Sequence, residues 1–255
     1  MINCQSNALM LPGISAILDI STPQQTLRFE QLFGVRSDWY HNLQYVAQSS
    51  PDGMAQAFIM CKYFIGNAPS ALLLGDEIFS GYDLYFLLEK ATMCDQGTAI
   101  FAYHVQDPAL YGVMAFDVQG CATCLEESFA NPKTLKTVAG DNQVVDIAAN
   151  LKPSSRGELE IADLNRIFLE RDQLNVKIMG KGCAWFDAAH ENLIETSNFI
   201  QTIERRKGVK VGCSEELIDR KCVVNAEQAE KLTKPLAKNG YGQYLISVPK
   251  DMALQ

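Results

Sequence analysis

The segment from Ala71 to Asp76 constrains the fold more than any other, because an uninterrupted apolar run stops there at Gly75-Asp76. A short apolar run bounded by a turn signal predicts a buried strand of a parallel sheet. In an open α/β sheet, ligands bind outside the carboxyl ends of the strands, and an acid there can hold a divalent cation. The same Gly-Asp pair also fits a plain strand-ending turn.

A second apolar stretch, from Cys183 to Asp187, also ends in an acid and precedes an amphipathic helix. Two strand-end carboxylates, Asp76 and Asp187, could share one cation. Mg²⁺ takes one or two protein carboxylates and completes its shell with water and substrate phosphate oxygens. The pair therefore predicts a phosphate-bearing substrate, while spacing along the chain leaves open whether the two acids meet.

Composition excludes several classes of protein. A chain of 255 residues that is 47% hydrophobic can bury one sizeable core. The net charge of −8, with no basic cluster beyond residues 205–207, argues against a nucleic-acid partner. The eight scattered cysteines predict reduced thiols, since Cys121-x-x-Cys124 lacks a second pair at zinc-ribbon spacing. Short apolar runs and the lack of a signal-peptide pattern predict a cytoplasmic protein without a membrane partner.

The first half of the chain alternates strand and helix patterns, which predicts an α/β fold with right-handed crossovers. The expected strands are 16–21, 43–46, 71–74 and 98–105, and the expected helices are 23–33, 54–64 and 84–92. Ser50-Pro51 fits the start of the helix expected over residues 54–64. The backbone amides at this helix start could bind an anion or the polar edge of a base, or Ser50 could be a simple N-cap.

Later, short strands at 113–116 and 122–125 indicate a mixed sheet, and residues 156–161 open a helix. We expect a core of residues 1–207 with a helical C-terminal appendage, 208–255, packed on it.

Seven motifs, taken in order, resemble the bacterial glucose-1-phosphate thymidylyltransferases almost from end to end of the chain. They lie at residues 48–58, 74–79, 111–113, 125–127, 156–161, 184–187 and 241–244. The resemblance implies a Rossmann-like three-layer nucleotide-diphospho-sugar transferase fold with a mixed sheet. It also implies the Mg²⁺-dependent reaction of dTTP and glucose 1-phosphate to dTDP-glucose and pyrophosphate, which feeds rhamnose and other deoxysugar routes. The partners implied are these two small molecules and further copies of the chain in a homotetramer.

The resemblance also assigns site residues. It implies no catalytic side chain, because in-line attack by the sugar phosphate needs no protein base, and His190 is expected to be a cap or surface group. The implied roles are nucleotide binding for Gln48 and Gly53, Mg²⁺ binding for Asp76 and Asp187, and sugar-phosphate binding for Glu77, Gly112, Glu127 and Val138.

Several departures from the family pattern predict impaired or lost activity. The family's first strand, with its glycine-rich loop ending in Thr-Arg and a downstream lysine, has no match here, which leaves strand 16–21 with an unpaired edge. Glu77 replaces an asparagine, and Ser128 replaces a lysine. About four residues are missing after Gly140, and the Asp187–His190 loop is one residue short; such cuts shift strand register.

Three functions remain open at this point. The chain could be a working thymidylyltransferase whose sequence begins late. It could instead be a non-catalytic remnant or a binding subunit that assembles with an intact paralogue. A third interpretation is a sugar-phosphate binding or regulatory module.

Overall fold

The protein is represented by a computed structural model that describes residues 2–34, 42–81, 83–93, 96–105, 113–126, 133–140, 142–188, 193–214, 216–217 and 236–251. The helices are α1 Ile2–Met10, α2 Pro23–Gly34, α3 Gln56–Met60, α4 Lys62–Ile65, α5 Leu84–Thr92, α6 Gln143–Ala149, α7 Ile161–Glu170, α8 Leu193–Lys207 and α9 Gly240–Asp251. The strands are β1 Ala16–Ser21, β2 Asn42–Ala47, β3 Ser70–Leu72, β4 Glu77–Gly81, β5 Thr98–His104, β6 Val113–Phe116, β7 Ala122–Glu126, β8 Lys133–Gly140, β9 Leu174–Ile178 and β10 Cys183–Asp187.

The main sheet has six strands in the order β7-β6-β8-β5-β9, with β3 paired to β8 beside that path. Strand β5 pairs with β9 in parallel and with β8 antiparallel, so the sheet is mixed, as the sequence predicts. The first five residues of β5 are buried, which explains its near-continuous apolar sequence.

Both faces of this sheet carry a hydrophobic layer. On one face, Ile100 of β5 packs in a cluster with Leu164 and Phe168 of α7, all fully buried. On the other face, Phe101 packs with Trp185 of β10. Alternate side chains of one strand therefore serve two cores, because neighbouring residues of a strand point to opposite faces.

Strands β1 and β2 form a separate parallel pair, in register from Ala16 opposite Asn42 to Ser21 opposite Ala47. On its other edge, β1 pairs with none of the described strands. Strand β3 also differs from the prediction of a buried parallel strand: it is only half-buried and pairs antiparallel with β8. The partial burial is explained by an open cavity, described below, that borders β1 and β3.

Strands β4 and β10 form an antiparallel pair that the sequence interpretation did not include. Its register runs from Cys183 opposite Gly81 to Asp187 opposite Glu77. The prediction of a strand that ends in the acid Asp187 is confirmed, whereas the prediction of a parallel strand leading to Asp76 is wrong. Asp187 is the last residue of β10, whereas Asp76 directly precedes β4.

The helix expected over residues 54–64 is two short helices, α3 and α4, and Ser50-Pro51 does not cap either of them. Helix α3 begins at Gln56, with Ala55 at its N-cap position and no side-chain cap. The helix expected from Arg156 begins only at Ile161. In both places, backbone hydrogen bonds to another part of the chain hold the residues before the helix in a turn.

Among the described residues beyond Gly208, Gly212 lies close to the core, and Tyr244 contacts Glu216. A side-chain Cβ at Gly212 would lie 2.6 Å from Sγ of Cys4 in α1. The Tyr244 hydroxyl donates to the Glu216 carboxylate, and burial, together with this bond, raises the pKa of Tyr244. Among the described residues, no helix combines the length and apolar character needed to cross a membrane.

Candidate functional site

The loop that follows β2 is held by a network of polar side chains. The Gln48 side-chain amide donates to Gln56 Oε1 at 2.6 Å and to the Gly53 carbonyl at 3.4 Å. The carboxylate of Asp52 accepts hydrogen bonds from Gln56 Nε2 at 2.6 Å and from Ser50 Oγ at 2.5 Å. Sequence reasoning selected Gln48 and Gly53 but missed Asp52 and Gln56, which fix the loop between them.

Gly53 lies at a crossing of two backbone segments. Leu159 N donates to the Asp52 carbonyl at 2.7 Å, and Ala55 N donates to the Leu159 carbonyl at 3.1 Å. Gly53 has φ of +101°, and an added Cβ would lie 2.4 Å from the Leu159 carbonyl oxygen. Only glycine fits both this backbone conformation and this close approach.

The segment that carries Leu159 is itself fixed by Glu160. The Glu160 carboxylate accepts from Ser154 Oγ at 2.8 Å and from two nitrogens of Arg156, at 2.9 and 3.2 Å. The Arg-Gly-Glu sequence that was expected to open a helix therefore forms a turn that supports the loop of Gly53. These contacts give the Arg-Gly-Glu motif a structural role in holding this turn.

The two predicted metal ligands lie on neighbouring backbone segments. Asp187 is opposite Glu77 in the β4–β10 pair, and Ala188 N donates to the Asp76 carbonyl at 2.8 Å. Glu77 is fully buried, and Asp187 is 6% exposed. The side-chain amide of Gln5 in α1 donates to the Glu77 carbonyl at 2.6 Å, a contact that no sequence pattern indicated.

Two carboxylates that meet at one point are donors that suit a hard cation. Mg²⁺ prefers oxygen donors and is usually held by one or two carboxylates together with water and phosphate oxygens. Within the described ranges, no group of three or more His, Cys, Asp or Glu residues is arranged to hold a metal ion. The assignment of Mg²⁺ to Asp76 and Asp187 stays a prediction.

A cavity of about 700 Å³ has the predicted nucleotide residues on its wall and extends to Gly75, but Asp76, Glu77 and Asp187 are not among the described residues that line it. Gln48 and Gly53 line it at one side, and Gly75, next to Asp76, lines it at another. The described residues that line it include no lysine or arginine, and Asp19 is their single charged member. Burial raises the pKa of Asp19, and a hydrogen bond from Ser21 offsets part of this effect.

The structure describes only some of the residues predicted to bind the sugar phosphate. Val138 lies in β8, where its backbone is in register with Leu72 of β3 and Ile100 of β5. Gly112 and Glu127 lie outside the described residues, as do Ser128 and His190. Their assignment stays a prediction.

The chain matches a family model and known sequences. Residues 1–203 match the model of the nucleotidyl transferase family. A glucose-1-phosphate thymidylyltransferase of Xanthomonas campestris pv. campestris (strain B100) is 44% identical over 259 residues, covering 100% of this chain and 88% of that protein. The chain belongs to the glucose-1-phosphate thymidylyltransferase family. The enzyme of the same name from Neisseria meningitidis serogroup A is 42% identical, covering 98% of the chain and 88% of that protein.

Solved structures agree with this family and its fold. A Bacillus anthracis protein described as a glucose-1-phosphate thymidylyltransferase, in complex with sucrose, has a TM-score of 0.69 at 27% identity and covers 78% of this chain and 80% of its own. A UDP-glucose pyrophosphorylase complexed with UDP-glucose has a TM-score of 0.66 at 16% identity, covers 79% of this chain and 86% of its own, and supports the fold alone. The predicted Rossmann-like α/β nucleotidyltransferase fold and the thymidylyltransferase family are confirmed.

Proposed function

We propose that this family member binds dTTP and glucose 1-phosphate with Mg²⁺ at the cavity between Gln48, Gly53 and the Asp76–Asp187 corner. We further propose that the 255-residue chain alone forms dTDP-glucose and pyrophosphate only slowly. The observation that carries the site is that Gln48, Gly53 and Gly75 line one cavity, while a backbone hydrogen bond joins Asp76 to the residue after Asp187.

Each residue of the site has a proposed task. The Gln48 side chain, held by Gln56, and the backbone of Gly53 would bind the base of dTTP. Asp76 and Asp187 would hold Mg²⁺, which supplies charge neutralisation for phosphate oxygens when it is bound. Glu77, Gly112, Glu127 and Val138 would contact the sugar phosphate. The protein contributes position and electrostatics rather than a covalent step, as in other phosphoryl transfers.

The electrostatics of the cavity support slow turnover. A nucleoside triphosphate carries several negative charges, yet the described lining contains no cationic side chain and one carboxyl, Asp19. Glu77 adds another buried carboxyl directly opposite Asp187. Each missing electrostatic contributor of the oxyanion type costs about 10²–10³ in turnover. Several together would reduce the rate by many orders of magnitude.

The test combines binding and turnover. We expect calorimetry to detect weak dTTP binding with MgCl₂, and a pyrophosphate assay to give a turnover far below about 1 s⁻¹, the low end of ordinary enzymes. Asp76→Asn and Asp187→Asn should each weaken Mg²⁺-dependent dTTP binding at least about tenfold. The control, Asp146→Asn, removes the same charge from an exposed position of α6 and should change nothing.

Two results would contradict this proposal separately. If dTTP binds equally well to both carboxylate variants, the site is elsewhere. If the unmodified chain turns over at ordinary rates, the proposal of slow turnover is wrong, but the proposed binding site is not contradicted.

The lack of a cationic side chain among the described lining residues also favours a second candidate, a binding subunit that assembles with an intact paralogue. In that case the chain would show no detectable turnover of its own, but it would change the KM or the stability of an active relative mixed with it. Mixing the chain with a purified active family member, followed by size-exclusion chromatography and a pyrophosphate assay, separates the two candidates.

The assembly and the cellular setting are also proposals. Family resemblance supports a homotetramer, which light scattering on the purified chain would test. The proposed cytoplasmic location and a place before deoxysugar synthesis, including rhamnose, follow from the same substrates and can be tested by fractionation and by genetic complementation.

A further inference from the structure

We propose that Asp52 and Gln56 are positioning residues that decide which base the nucleotide site accepts. They hold the side-chain amide of Gln48 so that its oxygen, and not its nitrogen, is free to meet a ligand. A base would then be recognised through a ring N–H group, as in thymine or uracil, and cytosine would be rejected. This inference deepens the proposed function and rests on it, because it requires that Gln48 contacts the base.

The direction of the Gln48 amide follows from a chain of hydrogen bonds that begins at a carboxylate. An ionised carboxylate accepts hydrogen bonds and cannot donate them. Asp52 Oδ2 therefore needs the nitrogen of the Gln56 amide, which lies 2.6 Å away. Gln56 Oε1 is then turned toward Gln48, whose Nε2 donates to it at 2.6 Å. In this relay of three side chains, one group that only accepts orients two amides in turn.

Two further contacts hold the relay in this direction. Ser50 Oγ donates to Asp52 Oδ2 at 2.5 Å and so keeps the carboxylate in place. The Gly53 carbonyl, 3.4 Å from Gln48 Nε2, is a second acceptor for the same nitrogen. A reversed Gln48 amide would point its oxygen at two other acceptor oxygens and lose both bonds. Oε1 is therefore the part of this amide that remains for a ligand.

The two positioning residues act from outside the binding space. Gln48 is half-buried and lies on the wall of the cavity of about 700 Å³. Asp52 and Gln56 are not among the described residues that line this cavity. Their influence on a ligand would therefore pass through the orientation of Gln48 rather than through a contact of their own.

The chemistry of the base decides what this orientation selects. In thymine and uracil, the ring nitrogen N3 carries a hydrogen, which Gln48 Oε1 can accept. In cytosine, N3 carries a lone pair instead. If the sugar and the triphosphate hold both pyrimidines in the same place, the lone pair of cytosine N3 would face Oε1, and neither acceptor would have a donor. Sites built around a hydrogen bond reject ligands that cannot form it, because polar groups are left unpaired.

Calorimetry on the full-length chain with MgCl₂ tests this inference through the ratio of the dissociation constants of dCTP and dTTP. We expect the unmodified chain to bind dTTP at least about tenfold more tightly than dCTP. Asp52→Asn supplies a donor where the relay needs an acceptor, so both amides can turn and present Gln48 Nε2 to the base. The ratio should then fall at least about threefold, and Gln56→Met, which removes the link, should have the same effect.

Two controls separate positioning from a loss of structure. Asp146→Asn removes a carboxylate from an exposed position of α6 and should keep the ratio of the unmodified chain. dTTP methylated at N3 lacks the recognised hydrogen and should bind the unmodified chain at least about tenfold more weakly than dTTP. Thermal unfolding shows that each variant is folded before binding is measured. A merely distorted site would weaken dTTP and dCTP together and leave their ratio unchanged.

The failure of this inference differs from the failure of the proposed function. The relay is overturned, and the site is not, if the unmodified chain binds dTTP no better than dCTP or than the N3-methylated form. An unchanged ratio in either Asp52→Asn or Gln56→Met overturns it as well. If dTTP does not bind measurably, or if Asp76→Asn and Asp187→Asn leave its binding unchanged, the proposed function is wrong and this inference falls with it.

Discussion

Replacing Gly53 with alanine tests the contact that holds the proposed nucleotide loop. Two independent penalties act at this position. The backbone has φ of +101°, outside the regions that residues with a Cβ prefer, and the new methyl group would lie 2.4 Å from the Leu159 carbonyl oxygen and 2.5 Å from its nitrogen. Both atoms belong to backbone that is engaged in hydrogen bonds, so neither can move without breaking the link to Asp52 or Ala55.

The magnitude follows from these two contributions. A positive φ costs about 1–2 kcal/mol for a residue with a Cβ, and forcing an extra carbon into a packed site costs about 1–3 kcal/mol. We therefore expect Gly53→Ala to lower the free energy of unfolding by about 2–5 kcal/mol. Urea denaturation followed by circular dichroism measures this change through the transition midpoint, provided the slope of the transition is unchanged.

The matched control is Gly120→Ala in the turn between β6 and β7. Gly120 has φ of +84°, but an added Cβ there would meet nothing within 4 Å. The control should cost only the conformational part, about 1–2 kcal/mol. If Gly53→Ala costs no more than Gly120→Ala, the close approach of Leu159 is not a real constraint. Weaker dTTP binding by Gly53→Ala alone would further tie this contact to the nucleotide site.

Three further predictions concern charge and reactivity. Millimolar MgCl₂ at about ten times its Kd should stabilise the chain by about 1.4 kcal/mol in thermal unfolding, and Asp76→Asn or Asp187→Asn should abolish this gain. Burial raises the pKa of Cys61 to about 11, so at pH 8 a thiol reagent should modify exposed Cys121 much faster than Cys61, as mass spectrometry of the labelled peptides would show. Burial also raises the pKa of Asp19 above its ordinary value of 3.8, so the free energy of unfolding should fall as the pH rises from 3.8 through the raised pKa. Asp19→Asn should therefore raise the melting temperature at pH 7 but not below pH 3.8. An equal gain at both pH values would contradict this reasoning.

Local patterns predicted the parts of the fold that depend on nearby residues. Strand 16–21, helix 84–92 and strand 113–116 have the bounds expected from their alternation and turn residues. Strand β8 was not predicted, because its first residues follow an Asn-Pro pair that indicates a loop. The expected helix 54–64 begins late, at Gln56, because Asp52 and Ala55 hydrogen-bond to Leu159, a contact that no local window contains.

The site was predicted by residue type but not by geometry. Sequence patterns selected Asp76 and Asp187, yet their juxtaposition depends on the antiparallel pairing of β4 with β10, which are far apart in the chain. Gln5 was missed because it occupies an ordinary position of a helix, and only packing places its amide on the Glu77 carbonyl. Long-range pairing, rather than propensity, therefore decides how the corner is assembled.

The link between Gly53 and Leu159 also has a consequence for the order in which the protein forms during synthesis. The loop of Gly53 leaves the ribosome long before Leu159 does, and domains fold while the chain is still being made. Until residues 154–160 have emerged and formed their turn, the loop lacks the two backbone hydrogen bonds that fix it. A nascent chain arrested before Ser154 should therefore expose the loop to protease, and one arrested well beyond α7 should protect it.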